Sequence, residues 1–395
     1  MMNKPSAVPG FRLSGVACGI KPDGALDLAL VIADSPCAMA AVYTQNRVQA
    51  APVEISRAHR AGGLAQAILV NSGNANACTG QAGFDACMLG ISTLAQKLGC
   101  PESMIQVAST GVIGVPLPIA PLLEGLPAAV AAAGRQQQQV DDFSKAICTT
   151  DRFPKGAAVC VDGYSISVFA KGAGMIAPNM ATMLAYALTD APVHGADLQA
   201  LWKRCVDSSF NAVMVDGDTS TNDTAVLLAG GQGEALSGKA LERFEAALRE
   251  ACQQSAVQIV EDGEGARCVV EITVSGAPND DAAQRVARTI ALSPLCKTAF
   301  FGADPNWGRI VAAAGRAGVE FDAQKIRLSL SGDDQVIALF DQGVPLGFDK
   351  AQAQILMRNK RFAFHLELRT GSSEARIWTC DLGHNYVTLN AEYTT

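Results

Sequence analysis

The feature of this sequence that most limits its fold is an alternation of strand-like and helix-like segments with no linker between them. Apolar runs typical of strands alternate with segments whose apolar residues recur at helical spacing, and Asp162-Gly163 between alternating residues predicts a hairpin. At 395 residues the chain is long enough for two or three units with real cores. We predict a layered α/β or α+β fold. The predicted strands are 27–34, 38–44, 66–73, 105–109, 325–332, 335–343, 362–371 and 374–383, and the predicted helices are 82–98, 198–205 and 241–252.

The charge pattern argues against two classes of partner. The formal net charge is −7, and no Lys/Arg cluster is present to neutralise phosphates, so neither nucleic acid nor an anionic membrane surface is expected. The most apolar stretch, 117–134, is interrupted by three prolines and Glu124 and is not expected to cross a bilayer. The first ten residues contain neither the apolar core of a signal peptide nor an Arg-rich amphipathic helix. These features predict a cytoplasmic protein.

The cysteine and histidine spacings give no sign of a metal or a cofactor. Twelve cysteines are present, but none forms a CxxC pair, so no metal site is expected. Cys160 and Cys268 lie in apolar strands and are expected to be buried free thiols in a reducing compartment. The four histidines occur in neither HExxH nor metal-like spacing, and none neighbours a GxSxG nucleophile elbow. A mechanism that does not need histidine is therefore attractive, although a Ser–His–Asp triad with members distant in sequence stays open.

Two glycine- or acid-rich segments imitate known binding motifs. Residues 171–177 imitate a dinucleotide-binding fingerprint, but Pro178 falls where that motif needs a continuing helix. Residues 216–223 imitate a calcium loop, but Thr221 and Leu227 occupy the positions that require Gly and Glu. This second segment is then either a solvated turn or a polar network that braces a site, and composition alone favours the solvated turn.

Thr182 is a candidate nucleophile that needs no histidine. By composition alone, a threonine at an apolar helix start is more often a cap or a core hydroxyl. If the peptide bond before it is cut, however, the freed α-amine has a reference pKa of about 7.7–8.0 and can act as general base for the adjacent Oγ. The preceding residue, Ala181, is small and leaves room for Oγ to reach its carbonyl carbon.

Eight motifs, in order from about Gly10 onward, carry a resemblance to a known family. The motifs are GFRLSGVACGIK (10–21), ILVNSGNANACTG (68–80), STGVIG (109–114), CTTD (148–151), KGAGMIAPNMATML (171–184), SFNAVMVDGDTSTNDT (209–224), VEDGEGA (260–266) and TAFFGADPNWGRI (298–310). In these motifs the sequence resembles the ornithine acetyltransferases of arginine biosynthesis, also called glutamate N-acetyltransferases. One departure is Ala173, where the family more often has serine.

The resemblance implies a self-cleaving acyltransferase with an N-terminal threonine nucleophile. It implies a fold of the N-terminal-nucleophile type, cut at Ala181–Thr182 into an α chain (1–181) and a β chain (182–395) that share one core. Two copies of each chain would form a heterotetramer. The implied roles are nucleophile for Thr182, oxyanion stabilisation for Thr110 and Gly111, and substrate binding for Thr149, Lys171, Thr182, Glu264, Asn390 and Thr395. Thr150 is the alternative to Thr149.

The implied reaction moves an acetyl group from N2-acetylornithine to glutamate through acetyl-Thr182, without a cofactor. Acetyl-CoA as a further donor stays open. A carboxylate such as Glu264 suits the amine of ornithine, a cation such as Lys171 suits a carboxylate, and Thr110 with Gly111 suits the oxyanion. By composition alone, Glu264 fits a solvated turn and Thr395 a frayed terminus. The competing hypotheses are a hydrolase or aminopeptidase on the same self-cleaving fold, and an uncut, non-catalytic scaffold.

Overall fold

The computed structural model describes residues 3–177 and 183–392, which form two compact units. The first unit comprises the described residues up to Asn211 together with Asp218–Ile259. The second comprises Ala212–Gly217 and the described residues from Val260 onward. Each unit contains one β-sheet with helices packed on it. The fold is therefore a mixed α/β fold with two sheets, as the sequence predicts.

The strands, in chain order, are β1 (Phe11–Val16), β2 (Leu28–Tyr43), β3 (Leu64–Asn74), β4 (Ile105–Val112), β5 (Lys155–Val161), β6 (Tyr164–Lys171), β7 (Leu184–Thr189), β8 (Val213–Met214), β9 (Thr224–Ala229), β10 (Val269–Ala277), β11 (Arg327–Gly332), β12 (Gln335–Asp341), β13 (Val344–Pro345), β14 (Arg361–Glu367) and β15 (Ser373–Cys380). The helices are α1 (Ala51–His59), α2 (Gly80–Leu98), α3 (Ile119–Ala132), α4 (Gln137–Ala146), α5 (Ala196–Asp207), α6 (Gly238–Glu261), α7 (Asp280–Ala291), α8 (Pro294–Phe301), α9 (Trp307–Gly315), α10 (Lys350–Met357) and α11 (His384–Glu392).

The sheet of the first unit has the order β4-β3-β2-β9-β7-β6-β5, and β1 also pairs with β2. The β3–β4 and β7–β9 pairs are parallel, and the others are antiparallel. Side chains of β2 alternate between two apolar layers, so that Leu30 faces the layer of α2 and α3 while Val31 faces the layer of Phe143. Both faces of the strand are covered, and this explains its nearly continuous apolar sequence.

The sheet of the second unit has the order β13-β12-β11-β14-β10-β15-β8. Its β10–β14 and β15–β8 pairs are parallel. Helix α7 packs on β10 and β15 through a buried stripe that includes Val286 and Ile290. The rings of Phe300 on α8 and Phe364 on β14 stack with their centroids 5.6 Å apart. A continuous apolar layer thus joins helices and sheet in this unit.

Most of the predicted elements are confirmed, with informative differences. Helix α2 ends at Leu98, and Gly99 caps it with a φ of 66°. The turn between β5 and β6 contains Asp162 and Gly163, both at positive φ, as a two-residue hairpin requires. The two strands predicted at 27–34 and 38–44 are one strand, β2, whose pairing with β3 shifts register between Ile32 and Cys37. The exposed residues in that interval interrupt the apolar pattern, and for this reason the sequence predicts two strands where the structure has one.

Two further expectations concern burial and membranes. Cys268 is buried as predicted, but the prediction for Cys160 was wrong, because β5 is an edge strand and this side chain is exposed. The proline-interrupted stretch 117–134 contains α3, which has Pro127 inside it. Across the described ranges, every helix falls short of the length or the apolarity needed to traverse a bilayer.

Candidate active site

Thr110 and Gly111 lie near the end of β4, where its pairing with β3 becomes irregular. Gly111 has a φ of 135°, and a Cβ there would lie 2.3 Å from the carbonyl carbon of Gly73. Any other residue would therefore be strained and would push the two strands apart. This close approach fixes the backbone at Gly111 and leaves Thr110 at the edge of the buried region.

Lys171 ends β6, and its ammonium group contacts Thr110. The Lys171 side chain is almost fully enclosed, with the residue only 4 % exposed, and its Nζ donates a hydrogen bond of 2.9 Å to Thr110 Oγ1. A lysine ammonium has donors only, so the threonine oxygen must be the acceptor. The hydroxyl proton of Thr110 is then available for a different acceptor. The contact with Lys171 therefore leaves the Thr110 hydroxyl oriented to act as a hydrogen-bond donor.

Asp151 joins the loop of Thr149 to the segment that follows Lys171. Its Oδ2 accepts the N–H of Thr149 (2.9 Å), and its Oδ1 accepts the N–H of Gly172 (2.7 Å) and Lys155 Nζ (2.5 Å). The side chains of Asp151 and Lys155 are both 0 % exposed. Burial raises the pKa of Asp151, but the positive charges of Lys171 and Lys155, with the hydrogen bonds from Lys155 and Thr149, outweigh it and lower the pKa to about 2. Asp151 is therefore a buried carboxylate that holds two loops together.

The expected cleavage position, Ala181–Thr182, lies outside the described residues. The described residues on either side of it are held by one polar segment, residues 219–223. Before the position, Thr219 Oγ1 donates to the Ala177 carbonyl (3.0 Å). After it, the N–H of Met183 donates to Asp223 Oδ1 (3.0 Å).

The solvated turn that composition alone favours for this polar segment was a wrong prediction for most of its residues. Residues 217 and 218 are exposed, but residues 220–224 are all buried. Asn222 donates from Nδ2 to the carbonyls of Ala75 (2.6 Å) and Ser109 (2.9 Å), next to Thr110 in the chain. The other half of the alternative is therefore correct for residues 220–224, which form a buried polar network.

Glu264 and Asn390 are neighbours in the second unit. Asn390, on α11, donates from Nδ2 to Glu264 Oε2 at 2.9 Å. The loop that carries Glu264 packs directly against this helix, because a Cβ on Gly265 would lie 2.4 Å from the Tyr386 nitrogen. The structure thus brings together two predicted substrate-binding residues that are far apart in sequence. Thr395, the third predicted residue of this part of the chain, lies outside the described residues.

The first unit likewise brings Thr110, Lys171 and the Thr149 loop into one connected group of hydrogen bonds. Sequence reasoning assigned no role in this group to Asp151 and Lys155, and it included Asn222 and Asp223 only in the less favoured alternative of a polar network. The signals were the CTTD motif, which contains Asp151, and the dense run of polar residues at 218–223.

Comparisons with known proteins show the family to which this chain belongs. Residues 12–395 match the sequence profile described as the ArgJ family. The chain belongs to the ArgJ family. A curated ArgJ relative, the arginine biosynthesis bifunctional protein ArgJ of Geobacter sulfurreducens, is 46 % identical over 98 % of this chain and 100 % of its own length. The protein of the same name from Gloeobacter violaceus is 45 % identical over 99 % of this chain and 97 % of its own length.

An ArgJ crystal structure resembles part of the fold. The arginine biosynthesis bifunctional protein ArgJ of Bacillus halodurans, solved at 2.00 Å resolution, superposes with a TM-score of 0.51 and 38 % identity. The superposition covers 54 % of this chain and 100 % of that crystallised chain. ArgJ membership therefore rests on nearly the whole sequence, and this ArgJ structure supports it over about half.

Proposed function

We propose that this chain is an acetyltransferase of arginine biosynthesis that moves the acetyl group of N2-acetylornithine to glutamate. The observation that carries the proposal is the match to the ArgJ family over residues 12–395. In the proposed cycle Thr182 Oγ attacks the acetyl carbonyl, ornithine leaves, and the amine of glutamate then attacks acetyl-Thr182. No cofactor is required, because the α-amine of Thr182 acts as the base once the chain is cut.

The contact between Lys171 and Thr110 supports the oxyanion role of Thr110. A tetrahedral intermediate is stabilised by donors that point at the developing negative charge before the reaction begins. Because Lys171 Nζ occupies the Thr110 oxygen as donor, the Thr110 O–H can be aimed at that charge. The backbone N–H of Gly111 is the proposed second donor. The ammonium of Lys171 adds positive charge next to the Thr110 hydroxyl. Lys171 is also the proposed partner of the substrate α-carboxylate, and Thr149 is a further proposed substrate contact.

Glu264, Asn390 and Thr395 are the proposed substrate contacts from the C-terminal part of the chain. Acetylornithine has a cationic side-chain amine, and a carboxylate is the natural partner for it. Asn390 Nδ2 already donates to Glu264 Oε2, which fixes the orientation of the carboxylate and leaves its other oxygen to bind the amine. This hydrogen bond supports a role of Glu264 in recognising ornithine.

The proposed enzyme consists of α (1–181) and β (182–395) chains made by cleavage at Ala181–Thr182. One finding supports the cut: the complete crystallised chain of the Bacillus halodurans protein corresponds to 54 % of this sequence, the same share as residues 182–395. Two α and two β chains form the proposed heterotetramer. The twelve cysteines are all free, which supports a location in the reducing cytoplasm.

The names of the relatives support a second donor. All three proteins named above are called bifunctional. We infer that acetyl-CoA also acetylates Thr182, so that the enzyme has amino-acid N-acetyltransferase activity in addition to glutamate N-acetyltransferase activity.

One assay tests the proposal against the hydrolase alternative. Purified enzyme is incubated with acetylornithine, with and without glutamate, and N-acetylglutamate and free acetate are quantified. Transfer predicts N-acetylglutamate in the presence of glutamate and little acetate in its absence. Release of acetate at the same rate in both reactions would instead identify a hydrolase, and an inert chain would identify a scaffold. Replacing acetylornithine with acetyl-CoA tests the second donor in the same way.

A further inference from the structure

The proposed reaction leaves one substrate charge without a partner. Acetylornithine has an α-carboxylate and a cationic side-chain amine, whereas glutamate has an α-carboxylate and a second carboxylate on its side chain. Lys171 is the proposed partner of the α-carboxylate, and Glu264 is the proposed partner of the amine. A carboxylate such as Glu264 repels the second carboxylate of glutamate, so recognition of glutamate calls for a further cation.

Lys21, the last residue of the motif GFRLSGVACGIK, lies beside two segments of the candidate site. Its Nζ donates a hydrogen bond of 2.8 Å to the carbonyl oxygen of Cys148, which directly precedes Thr149 in the chain. A Cβ on Gly73 would lie 3.0 Å from Lys21 Cγ, so the lysine stem packs on this residue. Gly73 is also the residue that Gly111 approaches closely. Lys21 therefore contacts the loop of Thr149 and the strand against which Gly111 packs.

The hydrogen bonds of the Lys21 ammonium go to neutral groups. Within residues 3–177 and 183–392, its Nζ donates to two carbonyl oxygens, that of Cys148 and that of Leu26 at 2.9 Å. The neighbouring carboxylate of Asp27 is occupied by other donors, because its oxygens accept the backbone N–H groups of residues 18–21 at 2.7–3.1 Å. An ammonium group has three donors. The two carbonyls thus fix the position of a half-buried ammonium and leave its third donor for an anion.

The Cys148 thiol shows that Lys21 belongs to the same charged cluster as Lys171. Burial raises the pKa of this thiol to about 12, and the negative charge of Asp151 adds to the effect. The positive charges of Lys155, Lys171 and Lys21 all oppose it. Cys148 is therefore a neutral thiol at neutral pH, and three lysine ammonium groups act on it.

The charge of Lys21 is not fully compensated by its surroundings. Burial lowers the pKa of Lys21, and the positive charge of Lys171 lowers it as well. The carboxylates of Asp27 and Asp23 act in the opposite direction without cancelling the shift. Two ammonium groups that repel each other beside the Thr149 loop favour a ligand with two negative groups.

We propose that Lys21 binds the side-chain carboxylate of glutamate in the second half-reaction, an inference that rests on the proposed function. Lys171 holds the α-carboxylate, which both substrates share, and Lys21 distinguishes glutamate from a neutral acceptor of the same shape. Glu264 has the corresponding role for the amine of acetylornithine. One enzyme can then accept two side chains of opposite charge, because each is recognised by a different residue.

The test is the choice between glutamate and glutamine, its neutral analogue of nearly the same size, as acetyl acceptor. With acetylornithine as donor, kcat/KM is measured for each acceptor from the N-acetylated product. Wild-type enzyme should prefer glutamate. Lys21→Met keeps the stem but removes the charge, and it should lower the ratio of the two kcat/KM values by roughly 10–100-fold, because a charged hydrogen bond is lost for glutamate only. If Lys21 merely holds the Thr149 loop, both acceptors will slow equally and the ratio will not change.

Three further variants make the outcome decisive. Lys21→Arg keeps the charge and should keep most of the preference for glutamate. Lys297→Met is the matched control, since Lys297 is a buried lysine of the second unit that donates to Thr379 Oγ1 at 3.0 Å, and its loss should leave the ratio unchanged. If Lys21→Met does not fold, Lys21→Gln, which keeps a donor for a carbonyl, replaces it.

The possible failures are distinguishable. An unchanged ratio in a folded Lys21→Met or Lys21→Gln variant overturns the role of Lys21. Wild-type enzyme that uses glutamine as well as glutamate overturns it too, without any variant. Wild-type enzyme that forms no N-acetylglutamate overturns the proposed function itself.

Discussion

The charge of the buried Asp151 should contribute measurably to the stability of the first unit. The perturbation is Asp151→Asn, made in a Thr182→Ala background so that the chain stays in one piece. At neutral pH the variant leaves the Lys155 ammonium buried without its carboxylate. Loss of one partner from a buried ion pair costs about 3–5 kcal/mol. The Asp151 side chain is fully enclosed, so solvent does not screen this effect.

The pH dependence can be worked out from the pKa of Asp151. It is lowered from 3.8 to about 2 in the folded protein, and each pKa unit corresponds to about 1.4 kcal/mol. Because the folded pKa is lowered, ionised Asp151 contributes about 2.5 kcal/mol to the free energy of unfolding at pH 7. The contribution is complete above about pH 5 and is lost as the pH falls through 3.8 toward 2. Roughly 1 kcal/mol of it should be gone by pH 3.

The assay is urea unfolding at pH 7, 5, 4 and 3, followed by tryptophan fluorescence, with the buried Trp202 as a probe of the same unit. The free-energy difference between the parent and Asp151→Asn should shrink by roughly 1 kcal/mol between pH 5 and pH 3. Asp151→Asn/Lys155→Met removes both charges and should recover much of the stability at pH 7. A parallel loss of stability by parent and Asp151→Asn as the pH falls would show that ionised Asp151 does not stabilise the fold.

The remaining predictions concern processing, the oxyanion and substrate charge. Wild-type protein should give two bands on a denaturing gel, with Thr182 at the N-terminus of the second chain, and Thr182→Ala should give one band and no activity; a fully active single chain would contradict the mechanism. Thr110→Ala should lower kcat by about 10²–10³-fold, because one oxyanion donor is lost, and an unchanged kcat would refute this role. Glu264→Gln should lower kcat/KM for acetylornithine by roughly 10–100-fold and affect glutamate less, because a charged hydrogen bond of about 1.5–3 kcal/mol is lost for the cationic substrate only. Lys171→Met should slow both half-reactions, and stopped-flow or quench measurements on the acetyl-enzyme would measure each half-reaction separately. If Glu264→Gln lowered kcat/KM equally for both substrates, the roles assigned to Lys171 and Glu264 would have to be exchanged.

The sequence was sufficient for the local elements because their signals are local. Helix α2 combines helical spacing of apolar residues with a glycine cap, and the β5–β6 hairpin has Asp-Gly at its turn. Thr110-Gly111 follows a short apolar strand, so its position at a strand end was predictable. The division of β2 into two predicted strands was wrong because three exposed residues interrupt a strand whose pairing partners lie far away in sequence.

The residues that support the candidate site could not be predicted, because their burial also depends on parts of the chain that are far away in sequence. Asp151 and Lys155 are four residues apart and look like an ordinary exposed ion pair in the sequence, yet both are enclosed by the fold. Asp223 belongs to a run of polar residues whose composition is typical of a surface turn. Its burial results from the strands β2 and β7 on either side of β9, and that arrangement is a property of the whole sheet.

The order β9-β7-β6 has a consequence for how the processed protein would respond to denaturation. Strand β7 follows the expected cut, and its two neighbours come from opposite sides of it: β6 from residues before the cut and β9 from residues after it. Before processing, these strands are joined covalently and folding is a unimolecular reaction. Afterwards the same sheet must be rebuilt by the encounter of two separate polypeptides, so recovery from urea should depend on protein concentration and compete with aggregation. The lifetime of the folded enzyme would then depend on the height of its unfolding barrier, because the cleaved protein can no longer refold as a single chain.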